Sequence, residues 1–272
     1  MKKTIAIILT LVLALSLAAC GGSKTSASAD KTITIAASPT PHAEILGVVA
    51  QVLSEQGWTL EIKEYTDYVQ PNLVVDDGEI DANYFQHVPY LNSFNEENGT
   101  KLVSVAMVHY EPFGIYAGTK SSLDELVEGD KIAIPNDGTN RARALLLLEA
   151  QGLIKLKEGA GMDATDLDIV ENSLKLDIYQ MEAAQIANVR DSVALAVING
   201  NYALQAGLHA GVDALETEDA ASISAVTYAN IIVVKEGNEE TEKTKALVDA
   251  VLSDAVRNYI NETYSGDVVP IF

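Results

Sequence analysis

Three stretches of this sequence concentrate residues able to bind a small polar molecule. In Ile134-Pro135-Asn136-Asp137-Gly138-Thr139-Asn140-Arg141-Ala142-Arg143 a turn-rich loop feeds a helix. A helix start offers free backbone N–H groups and the positive end of a dipole, both suited to an anion. An arginine at that end is misplaced for helix stability. A bound carboxylate, gripped by two parallel hydrogen bonds, would resolve the conflict. The second stretch, Asp81-Ala82-Asn83-Tyr84-Phe85-Gln86-His87-Val88-Pro89-Tyr90-Leu91, packs three aromatics and a histidine into a strand-to-helix junction. Such a cluster can build an apolar slot or serve as ordinary core. Tyr84 and Phe85 are neighbours on a strand and point to opposite faces, so only one of them should line a site. Third, Asn199 follows the apolar run Val193–Ile198, and Asn230 opens the run Asn230–Val234. Amides at strand ends can accept hydrogen bonds from an ammonium group, although asparagine is also a common turn residue.

Signatures of catalysis do not accompany them. The sequence contains no G-x-S-x-G, P-loop, G-x-G-x-x-G or H-E-x-x-H pattern. His42, His87, His109 and His209 are scattered, so no metal site is expected. In so acidic a chain, chance pairing of carboxylates gives no support to hydrolysis by a carboxylate pair. The expectation is a binding protein without a cofactor.

Elements able to position these groups alternate between strand and helix, which points to α/β architecture. Strands are expected at 32–36, 59–65, 80–85, 102–109, 113–118, 131–134, 168–171, 175–179, 193–198 and 230–234. Ile45, Val48, Val49, Val52 and Leu53 recur at helical spacing within 43–56, and Gly57 stops that helix. Further helices are expected over 68–77, from the 80–85 strand through Tyr90, over 141–150, and filling 239–264. Ser122-Leu123-Asp124-Glu125 fits a helix capping box.

The ends decide the compartment. Lys2 and Lys3 precede an apolar run from Ile5 to Ala19, the pattern of a signal peptide. At about 15 residues that run is short for a spanning helix, which needs roughly 20. The Leu17-Ala18-Ala19-Cys20 run resembles the lipobox of bacterial lipoproteins, whose cysteine thiol is acylated with a diacylglycerol. Cys20 is the only cysteine among 272 residues, so no disulfide can form within one chain. Residues 20–30 form a Gly/Ser/Ala/Thr linker after residues 1–19 of signal peptide. The formal charge of −21 argues against nucleic acid or an anionic membrane surface as partner.

Taken together and in order, several segments resemble the methionine-binding lipoprotein family (NlpA/MetQ type), the substrate-binding subunits of methionine ABC importers. They include Asp81–His87, Pro135–Leu148, Gly152–Lys157 and Ala194–Asn199, and the likeness runs through nearly the whole mature chain. The resemblance implies a type II periplasmic-binding-protein fold: two α/β lobes joined by a hinge, with the ligand in the interlobe cleft. Lobe I would comprise 31–112 and 229–272, and lobe II 113–228. It implies that Arg143 holds a methionine carboxylate, that Asn199 and Asn230 hold its ammonium, and that Tyr68, Phe85, His87 and Tyr90 line the thioether slot. Asn140 and Arg141 rank second. Implied partners are an ABC importer permease with its ATPase and, through lipidated Cys20, the extracytoplasmic side of the cell membrane. Tyr84 and Tyr110-Glu111-Pro112 depart from the commoner family pattern. They leave open D-methionine, methionine sulfoxide, a methionine dipeptide or another apolar amino acid, and a surface lipoprotein or adhesin with secondary ligand binding stands as an alternative.

Overall fold

The computed structural model describes residues 31–218 and 224–272. The signal peptide, Cys20 and the linker lie outside the described residues.

A six-stranded sheet forms from β1 (Thr32–Ala37), β2 (Thr59–Glu64), β3 (Ala82–His87), β4 (Leu102–Tyr110), β12 (Asn230–Lys235) and β13 (Val269–Pro270), in the order β13-β4-β12-β3-β1-β2. A five-stranded sheet is built from β5 (Gly114–Ala117), β6 (Lys131–Pro135), β9 (Asp177–Met181), β10 (Leu195–Ile198) and β11 (Ala214–Thr217), in the order β11-β5-β10-β6-β9. β7 (Lys155–Leu156) and β8 (Ile169–Glu171) make a small separate pair. Every strand of the first sheet lies within 31–112 or 229–272, and every strand of the second within 113–228. The chain passes between the sheets twice, at Glu111–Phe113 and between Thr217 and Asn230. The result is two α/β lobes.

Each lobe is held by its own apolar core. In the first, the helix Glu44–Glu55 buries Ile45, Leu46, Val49 and Leu53 against the sheet and the helices Glu242–Val251 and Asp254–Tyr264. Val48 and Val52 sit at the edge of that face and are half-buried. In the second, Leu145 and Leu148 of the helix Gly138–Ala150 pack on Ile132, Ile134, Leu195 and Val197. Each fully buried aliphatic side chain contributes roughly 1.5–3 kcal/mol.

β12 enters late in the sequence and fits antiparallel between β3 and β4. Its register places Asn230 opposite His87 on one neighbour and His109 on the other. A strand from the far end of the chain thus sets Asn230 between His87 and His109 at one end of the sheet's central strands.

Several local expectations are corrected. Ser122 makes no side-chain cap, and Leu123–Glu125 is a single 3-10 turn. Ser121 instead bonds Glu125 through its amide at 2.9 Å and its hydroxyl at 3.0 Å. The strand expected from Lys175 starts at Asp177, since Lys175 has φ of 48°, outside the strand region. The helices expected through 239–264 are Glu242–Val251 and Asp254–Tyr264, and the first begins three residues later than expected, after Thr241 caps it. The helices Ala183–Val189 and Gly200–Gln205 and strand β11 were not legible in the sequence pattern.

Candidate ligand-binding site

All eight cleft residues expected from the sequence border one cavity, to which both lobes contribute. The space among its lining atoms, solvent at its mouth included, is about 360 Å³, of which about 20 Å³ is open to a water-sized group, room for about one water.

One end of the cavity is aromatic. The pleat of β3 sends Phe85 into the cavity and Tyr84 into the core, where Tyr84 is fully buried and its hydroxyl bonds His109 Nδ1. The Tyr68 ring lies 5.7 Å from Phe85, 5.7 Å from Tyr90 and 4.9 Å from Tyr202 of the opposite lobe. The Tyr68 hydroxyl donates to Asn201 Oδ1 at 2.5 Å, and the Tyr90 hydroxyl to the Tyr68 carbonyl at 2.9 Å. Behind β3 the Gln86 amide is buried against Asn72, accepting from its Nδ2 at 3.0 Å, and donates to Asn83 Oδ1 at 2.9 Å. These bonds hold the strand that presents Phe85 and His87.

The other end is polar, and a chain of oriented amides runs through it. Asp137 caps the helix Gly138–Ala150, accepting from the Asn140 amide at 2.9 Å and from its Nδ2 at 3.0 Å. A carboxylate only accepts, so the Asn140 carbonyl oxygen must face away from it. That oxygen accepts from Asn199 Nδ2 at 2.9 Å and faces His87 Nε2 at 3.2 Å. His87 Nδ1 accepts from the Tyr90 amide, which leaves the ring hydrogen on Nε2. With its Nδ2 engaged, Asn199 turns Oδ1 inward, buried and without a partner among the described residues. Burial first, and the Arg143 charge second, hold the His87 pKa down at about 3, so the ring is neutral.

Arg143 is 4% exposed, so this arginine belongs to the interior. Its Nε and Nη2 donate to Glu218 Oε1 and Oε2 at 2.8 and 2.6 Å, and Nη2 also reaches the Glu111 carbonyl at 3.2 Å. The guanidinium carbon lies 4.2 Å from the Tyr228 ring centre and 4.8 Å from that of Phe113. Burial alone would favour its neutral form; the Glu218 charge outweighs that and raises its pKa. Two sequence expectations change here. The helix start is capped by the protein's own Asp137, and the arginine already faces a carboxylate of the chain. Arg141 borders a different depression, with Thr139 and Met162.

The cavity wall also includes Gln86, Glu111, Gly200 and Asn201, which were not among the expected site residues. In the sequence Glu111 stands out only as part of Tyr110-Glu111-Pro112, a departure from the commoner family pattern before the crossover. Glu218 follows β11, an edge strand with no buried residue and no apolar alternation to mark it.

Two α/β lobes that jointly wall a cavity, aromatic at one end and charged and amide-lined at the other, define a solute-binding receptor rather than an enzyme. The chain belongs to the NlpA lipoprotein family, whose model matches residues 33–272. It is 41% identical over 269 residues to the D-methionine-binding lipoprotein MetQ of Salmonella typhimurium, covering 98% of this chain and 97% of the relative. A lipoprotein of Ruminococcus gnavus, known from its crystal structure, is 59% identical with a TM-score of 0.88, covering 89% of this chain and 100% of that one. The structure of a nutrient binding protein from Burkholderia cenocepacia bound to methionine is 42% identical with a TM-score of 0.84, covering 88% of this chain and 100% of that one. No helix among the described residues is long and apolar enough to cross a membrane.

Proposed function

We propose that this protein captures methionine, most simply the L-enantiomer, and delivers it to an ABC importer permease driven by its ATPase. The observation that carries the reading is one cavity with an aromatic slot facing a charged, amide-lined end. Tyr68, Phe85, His87 and Tyr90 take the thioether, where a sulfur–aromatic contact contributes roughly 0.3–1.5 kcal/mol. Arg143 takes the carboxylate. A guanidinium carries five donors; Glu218 and the Glu111 carbonyl engage Nε and Nη2, so the ligand meets Nη1. Asn140 orients Asn199, and Asn199 with Asn230 receives the ammonium.

The lobes divide at 31–112 with 229–272 against 113–228, and a ligand touching both favours closure, since only differential affinity shifts such an equilibrium. In calorimetry and thermal melts, L-methionine is expected to bind and raise the melting temperature, by an amount equivalent to about 2.7 kcal/mol at a hundredfold excess over Kd. The same measurement with D-methionine, methionine sulfoxide, methionine dipeptides and other apolar amino acids ranks the ligands. Mass spectrometry of ligand carried through purification checks that ranking. No stabilisation by any of them overturns the reading in favour of a surface lipoprotein.

Cys20 carries the lipid anchor on the extracytoplasmic side. Two or more acyl chains give stable anchoring, and the residues 20–30 separate anchor from cleft. Cys20→Ala is therefore expected to move the protein from the membrane fraction to the soluble one with an unchanged methionine Kd. A weakened Kd in that variant contradicts the separation.

A further inference from the structure

Glu111 lies in the first crossover, borders the cavity and is only 6% exposed. Its Oε1 accepts from His109 Nε2 at 2.7 Å and stands 3.5 Å from His42 Nε2. The Tyr84 hydroxyl engages His109 Nδ1, so the ring hydrogen sits on Nε2 and points at the carboxylate. His42 Nε2 meets Asn230 Oδ1 at 2.9 Å. Burial keeps both rings neutral, with pKa values lowered to about 3 for His109 and about 4 for His42.

The candidate ligand atoms of His42, His109 and Glu111 lie within 4.8 Å of one another, a spacing that would also suit a metal. Both inward-facing ring nitrogens are already engaged in hydrogen bonds, however. His109 gives the Glu111 carboxylate a hydrogen bond, while His42 stands 3.5 Å away with Nε2 engaged by Asn230. Neither ring brings a positive charge, and the nearby Arg143 charge is met by Glu218.

The Glu111 carboxylate packs on the Gly200 backbone and accepts from the Asn201 amide, which fixes it at the cavity wall. A Cβ at Gly200 would stand 2.8 Å from Oε2 and 2.6 Å from Glu111 Cβ. On the same cavity, Asn199 Oδ1 is buried without a partner and cannot profitably flip, because Asn140 and Asp137 fix its amide. Beside the donors of Arg143 and Asn201, the polar wall thus includes three acceptors: the Glu111 carboxylate, the unpartnered Asn199 Oδ1, and Asn230 Oδ1, which also meets His42. An ammonium, with three donors and no acceptor, is the group that satisfies such a set.

We propose that Glu111 is the counter-ion of the ligand's ammonium, making a free, charged α-amino group a condition of tight binding. This rests on the amino-acid reading of the cleft. It separates amino acids from N-acylated or deaminated analogues that share the same side chain.

The test compares L-methionine with 4-(methylthio)butanoic acid, which lacks only the amino group, by calorimetry on the full protein and on Glu111→Gln. The unmodified protein is expected to prefer methionine strongly. Glu111→Gln is expected to lower methionine affinity at least about 30-fold, the lower bound for uncoupling a buried charge pair, and to leave the deaminated acid unaffected. Gly200→Ala, which displaces the same carboxylate without removing it, should erode the preference in the same direction and carries the test if Glu111→Gln does not fold. Unchanged methionine affinity in Glu111→Gln overturns the proposal. So does a parallel loss of both ligands, which would mark Glu111 as a structural support. No methionine binding by the unmodified protein would overturn the amino-acid reading itself.

Discussion

Arg143→Ala is expected to abolish methionine binding and to destabilise the ligand-free protein at the same time. The two effects have different causes. Binding is lost because the one arginine on the cavity wall among the described residues disappears, and removing one partner of a buried charged pair costs about 2–5 kcal/mol, or about 30-fold to several thousandfold in Kd. Stability is lost because Glu218, held by Arg143 at 2.6 and 2.8 Å, is left as an uncompensated carboxylate about 10% exposed. Breaking such a pair typically costs 3–5 kcal/mol.

The double variant Arg143→Ala/Glu218→Gln separates them. It is expected to recover much of the melting temperature and none of the affinity. Arg143→Lys should keep the charge but lose the fork that serves Glu218 on one edge and the ligand on another, leaving affinity well below the parent. Near-normal methionine binding by Arg143→Ala in calorimetry would sink the assigned carboxylate role.

Acid is expected to destabilise the ligand-free protein steeply, beginning near pH 6.5. Burial lowers the pKa values of His42, His87 and His109 to about 4, 3 and 3. An unfolded histidine titrates near 6.5. Between that value and the folded values the unfolded chain binds protons that the folded chain excludes, so stability falls as pH falls. Each histidine contributes up to about 1.4 kcal/mol per pH unit. Glu111 and Asp137 work in the opposite direction. Burial raises both, so the folded protein takes up these protons at higher pH than the unfolded chain does. Their stabilisation is gained as pH falls through the raised values, which offsets part of the loss from the three histidines. Melting temperatures should therefore change little from pH 7.5 to about 6.5 and decline from there to pH 5. A flat profile would mean that the three rings are not held neutral.

Much of this protein is legible in its residues because much of it is local. The helix Glu44–Glu55 and the strand Asn230–Lys235 announce themselves, since one is apolar at helical spacing and the other continuously so. The alternation of a strand alone predicts that Tyr84 and Phe85 part company, and they do: one enters the core and one the cavity. Ordered motifs carry the resemblance to the family, and it is that resemblance, more than any one contiguous run, that implies the eight residues now found on one cavity.

The interactions that complete the site are of another kind. Glu218 meets Arg143 from 75 positions away. Asn230 reaches His42 across 188 positions. Neither pairing leaves a periodic trace, because each depends on which strand inserts between which others and in what register. Only the tertiary structure shows that the carboxylate suggested by the buried arginine is already present in the chain. It also shows that Asp137 occupies the helix start. Sequence pattern records which faces avoid water; partners of buried charges are set by the long-range path of the chain, and there the arrangement in space decides.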